Sequence, residues 1–199
     1  MRCLLAGLLM LAPAVPLAAQ PASPTASGAT ISAPAVPATL AGLRLSETSI
    51  FTNPQQGTQY RYVDGVNLYI DVAVQASPTQ VETAGSAAFI INRGVEGFKR
   101  LPETTPGGIP RFQVVLDSAY SASLGLRTVP AHVVAARLQR GPQQRYEAWY
   151  FFVSGPRYVR VMVNSIGTST VPEDAPEVRR RVDLFMEALL PALSAAWGL

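Results

Sequence analysis

His132 is the only histidine in the chain, and Cys3 is the only cysteine. These two counts bound most of the chemistry the sequence allows. A histidine acts as a general base when a second group holds its ring in one tautomer. Asp117 and Glu147 are the acids offered as its partners, with Asp71 as another. A small hydrolase centred on His132 would follow. Against it stands the plainer reading, a hydrogen-bonded structural histidine at the head of a strand that also carries Val134, Ala136 and Leu138 on one face.

Other reactive patterns are weak. No serine stands in a Gly-x-Ser-x-Gly elbow, and Ser86 sits in a helical context. Zinc needs several histidine, cysteine or acidic ligands, so one histidine without a usable cysteine argues against a metal. No loop has the alternating acids of a calcium site. Pro106-Gly107-Gly108 lacks the strand-loop-helix setting of a phosphate loop. Glu96 with Arg93 or Arg100 reads as a solvated pair. The sequence implies no cofactor, and the balance lies against an enzyme.

A binding surface has more residues behind it. Gln143–Asn164 reads as a β-hairpin, with Ser154-Gly155-Pro156-Arg157 turning between two runs of aromatic and β-branched residues. The turn sets the register. Phe152 should oppose Val159, Tyr150 Val161 and Ala148 Val163 on an apolar face. Val153 should oppose Tyr158, Phe151 Arg160, Trp149 Met162 and Glu147 Asn164 on the other. The second face is aromatic enough to demand either a helix over it or a partner, with Arg160 stacked on Trp149 or Phe151. Tyr60, Tyr62, Tyr69, Trp149, Phe151, Tyr158 and Arg160 are the candidate binding residues.

The elements that would hold these residues follow from periodicity. Gln59–Val63 and Asn67–Gln75 form a hairpin about Asp64-Gly65, a dipeptide suited to tight turns. Ser77-Pro78-Thr79-Gln80 opens a first helix, whose stripe is Val81, Ala84, Ala88 and Ile91, and which frays at Gly94 and Gly97. Leu101–Pro110 is a loop. Arg111–Leu116 and Ala131–Arg140 are strands, with Asp117–Pro130 between them left open. Asp174-Ala175-Pro176-Glu177 starts a second helix with Val178, Val182, Phe185, Leu189 and Leu193 inward, and Pro191 should kink or end it. The fold class is α+β: a mainly antiparallel sheet of about six strands packed by two helices, an α/β/α sandwich if they take opposite faces.

Met1–Ala19 has a charged start, an apolar run and small residues at its end, the pattern of a secretory signal peptide. Gln20–Ala41 is rich in Ala, Pro, Ser and Thr, carries no charge, and reads as a disordered spacer. Residues 42–199 then make one domain. Removal of the signal leaves no transmembrane segment and no cysteine, so the expected location is periplasmic or secreted, in a bacterium. The formal charge is only +3, and apart from Arg179-Arg180-Arg181 the arginines are scattered, so nucleic acid is not an expected partner. An envelope protein or a small ligand is.

The stretch Gln59-Tyr60-Arg61-Tyr62-Val63-Asp64-Gly65-Val66-Asn67-Leu68-Tyr69-Ile70-Asp71-Val72 resembles a pattern in small exported bacterial proteins of unknown function. The element order is also similar to the PsbP/Mog1-like α/β/α sandwich, whose members mostly bind partners. Three functions are therefore expected in turn: a non-catalytic envelope binding or interaction module, a periplasmic hydrolase at His132, or a carrier of an apolar ligand. The carrier would enclose a cavity lined by Phe152, Val161, Phe185 and Leu189.

Overall fold

Two four-stranded meanders share one sheet. In the first, β1 (Thr39–Leu40), β2 (Leu43–Ile50), β3 (Thr58–Val63) and β4 (Leu68–Ala76) follow one another. The chain then crosses one face as α1 (Ala84–Lys99) and a single turn, α2 (Leu101–Thr104). It returns from the far edge as β5 (Gln113–Leu124), β6 (Arg127–Arg140), β7 (Gln143–Ser154) and β8 (Arg157–Ile166), and ends in α3 (Pro176–Trp197). The spatial order is β1-β2-β3-β4-β8-β7-β6-β5, with every neighbouring pair antiparallel. The computed structural model describes residues 33–53, 55–77, 84–109, 111–140, 142–167 and 175–199.

The α+β class and the antiparallel sheet agree with the sequence reading, but the described sheet has eight strands where about six were expected, and α2 makes a third helix. Two places account for the strands. The lead-in at Leu43 is a full strand with a short partner ahead of it. The stretch left open at Asp117–Pro130 continues β5 and β6 to a turn at Gly125-Leu126. Pro130 is tolerated there because β6 pairs with β7 only from Ala131 onward, so the proline faces one neighbouring strand and not two.

The hairpin β7–β8 has the register its turn implies, from Ser154 opposite Arg157 to Glu147 opposite Asn164. Alternate residues therefore feed two cores. Ala148, Phe152, Val159, Val161 and Val163 face α3, and meet Val178, Val182, Phe185, Leu189 and Leu193. Val153 and Phe151 face α1, with Val134 and Ala136 beside them and Ile90, Ile91, Val95 and Phe98 above. Each fully buried aliphatic or aromatic side chain contributes about 1.5–3 kcal/mol. The helices thus lie on opposite faces of the sheet.

Three helix details differ from expectation. The inward stripe of α1 is Ala87, Ile90, Ile91, Val95 and Phe98, while Ala88 is exposed and Val81 lies outside the described residues. The helix also runs past Gly94 to Lys99. Gly94 is glycine for contact, because a Cβ there would stand 2.5 Å from the Tyr158 hydroxyl and 2.8 Å from the Phe151 ring. In α3, Pro191 neither ends nor breaks the helix. It lies on the solvent side with Glu187, whose carbonyl it deprives of a donor. The proposed caps at Pro78–Gln80 and Asp174 lie outside the described residues.

The fold starts ahead of Gly42. Tyr60 donates its hydroxyl to the Pro34 carbonyl (2.9 Å) and Tyr62 donates to that of Pro37 (2.8 Å). Ala33 and Val36 pack on the core, and Leu40 is buried within it. Residues 33–41, expected to belong to the spacer, are part of the domain. The expected signal peptide and the rest of the spacer, to Ser32, lie outside the described residues.

Candidate functional site

The face of the sheet that carries α1 gathers most of the residues with chemistry. Strand pairing places Gln59, Ala73, Arg160, Phe151, His132 and Ala119 in one transverse row. The next row is Arg61, Asp71, Met162, Trp149, Val134 and Asp117. Helix α1 lies over the β6–β7 part of both rows. It divides the chemistry into a shelf on β3, β4 and β8 and an ionic cluster at the β5–β6 edge.

The shelf is built on Arg61 and Asp71. Arg61 donates from Nε (2.7 Å) and Nη2 (2.9 Å) to the two carboxylate oxygens of Asp71, a bidentate pair. Asp71 is only 5% exposed. The Arg61 guanidinium also lies 5.5 Å from the Tyr69 ring. Glu47, Ser49 and Gln59 complete a polar hollow of about 60 Å³ beside the pair.

One strand further in, Arg160 stacks 5.1 Å over Trp149, which in turn meets Phe98 and Phe151 edge-on. Burial lowers the Arg160 pKa from its ordinary value, since a guanidinium out of water loses solvation. Its Nε is buried and has no hydrogen-bond partner among the described residues. The stacking was legible in the hairpin register. The burial of Nε was not, because it depends on neighbours outside the hairpin.

The seven candidate binding residues do not form one surface. Tyr60 and Tyr62 point to the α3 face and are buried, at 1% and 0% exposure, with Tyr62 edge-on to Phe185. Phe151 is buried under α1, and Tyr158 stacks on it beneath Gly94. Tyr69, Trp149 and Arg160 remain partly exposed on the shelf. Arg61 and Asp71 join them. The alternation that separates Tyr60 and Tyr62 from Tyr69 follows from Tyr62 opposing Ile70 and Val63 opposing Tyr69.

At the other end of these rows, His132 and Asp117 do come together. His132 Nε2 lies 2.6 Å from Asp117 Oδ1, and Lys99 Nζ lies 2.7 Å from Asp117 Oδ2. Glu96 is 3.4 Å from the same Lys99. Asp117 is diagonal to His132 across β5 and β6, and Lys99 reaches down from the last turn of α1. Lys99 first, and His132 second, hold the Asp117 carboxyl below its usual pKa. Asp117 in turn raises that of Lys99. Glu147, the other acid considered for His132, is buried in β7 four residues from Phe151, about 13 Å along the strand.

On the α3 face, Phe152, Val161, Phe185 and Leu189 each have 0% exposure and belong to one close-packed core. The described groove between sheet and α3 lies elsewhere. It measures about 200 Å³ and is lined by Val115, Leu116, Tyr146, Tyr150, Arg179, Val182 and Asp183. Burial raises the Tyr150 phenol well above its ordinary pKa. No helix among the described residues is long and apolar enough to cross a membrane.

No family model matches the chain, and no curated protein does. Among solved structures the chain is similar to LpqN of Mycobacterium tuberculosis, a protein involved in cell envelope biogenesis. The identity is 15%, the match covers 77% of this chain and 79% of that one, and the TM-score is 0.45.

Proposed function

We propose that the chain is a non-catalytic binding or interaction module of the bacterial envelope, and that its ligand or partner contacts the shelf of Tyr69, Arg61, Asp71, Trp149 and Arg160. The observation that carries this reading is Arg160. Its guanidinium is stacked on Trp149 at the partly exposed shelf, while the neighbouring Arg61 is already committed to Asp71. A cation held against an aromatic ring, partly out of bulk water, attracts an anionic or carbonyl group of a ligand more strongly than a fully solvated one does. Export rests on the Met1–Ala19 pattern, and N-terminal sequencing of the secreted protein checks it.

Thermal shift with three probes tests the shelf: inorganic phosphate, an oligomer of hexuronic acid, and phosphatidylglycerol vesicles. At least one raises the Tm of the wild type and leaves Arg160→Met unshifted, with the unliganded Tm of the variant close to wild type. If no probe acts, and Arg160→Met and Trp149→Leu both unfold the domain, the shelf is core and the reading fails.

The 2.6 Å His132–Asp117 contact favours a second reading, a small periplasmic hydrolase with His132 as base and Asp117 orienting its ring. Its mark is hydrolysis of an ester or amide substrate that His132→Ala abolishes without a change in fold. An apolar-ligand carrier would have to use the groove at Val115, Leu116 and Val182, since the four core residues expected to line its cavity fill that space with one another.

A further inference from the structure

We propose that the groove between β5 and α3 binds a free amino acid with an apolar side chain. Its ammonium meets Asp183, its carboxylate meets Arg179, and its side chain lies against Val115, Leu116 and Val182. The groove is on the α3 face of the sheet, so this site is separate from the shelf and does not rest on the function proposed there. Its volume of about 200 Å³ falls below the roughly 300–1,000 Å³ of sites for drug-sized ligands. The occupant is therefore small.

The walls call for an apolar group. Val182 is buried on one side, and Val115 and Leu116 stand 39% and 40% exposed on the other. Successive strand residues normally point to opposite faces. Here both border one groove, because the register shift between Val114 and Leu116 bulges β5. The bulge leaves two apolar side chains in water that a ligand side chain covers.

The rim carries one charge of each sign. Arg179 and Asp183 stand one turn apart on α3, and both border the groove. A pair at that spacing on a helix surface holds weakly, so a ligand competes for both groups. Arg179 has an interaction of its own, but a guanidinium has five donors to share. The helix sets the orientation. Arg179 closes the first turn of α3, where the dipole favours an anion, and Asp183 lies a turn further in, where that field has faded. Tyr150 adds a neutral donor, since burial above all, with Asp183 adding to it, keeps its phenol protonated. A fatty acid would set its carboxylate beside Asp183, and an alkylamine its ammonium beside Arg179. A zwitterion satisfies both.

Methyl NMR titration of the full chain tests the proposal with three probes: leucine, isocaproate, which lacks the ammonium, and isoamylamine, which lacks the carboxylate. Leucine shifts the methyl signals of Val115, Leu116 and Val182 to saturation, and each single-charge analogue binds about tenfold or more weakly. Asp183→Asn weakens leucine by a similar factor, while Arg160→Met on the shelf leaves its affinity unchanged. Leucine that fails to shift these methyls overturns the proposal. So do analogues that bind as tightly as leucine, or leucine binding untouched by Asp183→Asn. Should that variant fail to fold, the analogue series on the wild type decides by itself. Loss of leucine binding in Arg160→Met would move the ligand to the shelf, which also overturns the groove.

Discussion

Arg181 in α3 donates to Asp64 in the β3–β4 turn at 2.9 Å, joining residues 117 positions apart. Asp64 Oδ1 meanwhile accepts the amides of Val66, Asn67 and Leu68 at 2.8, 3.1 and 3.0 Å. One carboxylate thus folds the turn, where Gly65 takes φ of 80°, and ties it to the last helix. Burial pushes its pKa up, but the amides and Arg181 outweigh burial and hold it below the usual value.

Asp64→Ala should therefore cost about 2–4 kcal/mol in urea unfolding, because it removes charge-assisted bonds at a buried position. Asp64→Asn, which keeps an acceptor for the amides, should cost less than half of that. The pKa is depressed in the fold, so its stabilisation is complete above about pH 4 and fades as pH falls through the folded value. Asp64→Ala should flatten the acid limb of the stability curve.

Gly94 and Gly97 make a matched pair in one helix. Gly94→Ala drives a methyl into Tyr158 and Phe151, and should destabilise by about 1–3 kcal/mol despite the better helix propensity of alanine. Gly97 has nothing within 4 Å of its added Cβ. Gly97→Ala should stabilise by about 0.5–1 kcal/mol. Chemical denaturation of both variants separates contact from propensity.

On the alkaline side, burial raises Tyr62, Tyr120 and Tyr158 to about 12. The unfolded phenol ionises near 10, so between about pH 10 and 12 the unfolded state releases protons that the folded state keeps. Stability should be unaffected below pH 10 and fall steadily above it. Absorbance of phenolate at 295 nm should rise together with loss of circular dichroism, as one cooperative event. Phenolate that forms ahead of unfolding at these tyrosines contradicts the burial.

The ionic cluster makes a prediction about order of influence. Lys99 lowers the Asp117 pKa more than His132 does. In a carboxyl carbon NMR titration, Lys99→Met should move the Asp117 midpoint up toward the ordinary aspartate value by more than His132→Asn does. The reverse order would mean that the histidine, not the lysine, sets this carboxylate.

The N-terminal boundary can be measured directly. A chain starting at Gly42 loses the Pro34 and Pro37 acceptors and the buried Leu40. It should be less stable than one starting at Ala33 by about 2–4 kcal/mol.

Strand pairing was readable where a turn fixes it. Gly155-Pro156 sets every β7–β8 pair, and Asp64-Gly65 sets β3–β4, because side chains alternate with a period of two. What failed was long-range. Residues 33–41 look like spacer since their composition is Ala, Pro and Thr, yet two carbonyls there serve tyrosines that lie 26 and 25 residues on. The small residues of Ser118–Ser123 give no periodic signal, so half of the β5–β6 hairpin is not legible in the sequence. The His132–Asp117 contact is one of several pairings the sequence offers. It became specific only once the strands stood side by side, since a diagonal neighbour is set by register and not by sequence distance.

The central seam of the sheet, β4 against β8, has a kinetic cost. Asn67 and Ile166, which bond across it, lie 99 residues apart. Each meander can assemble from local contacts, but the seam closes only after nearly the whole chain is in place, which puts folding in the slow range of milliseconds to seconds. Until then β4 is a bare edge carrying Ile70, Val72 and Val74. During synthesis the first meander must wait with that edge unpaired, and the interval is when the chain is most prone to join with others of its kind.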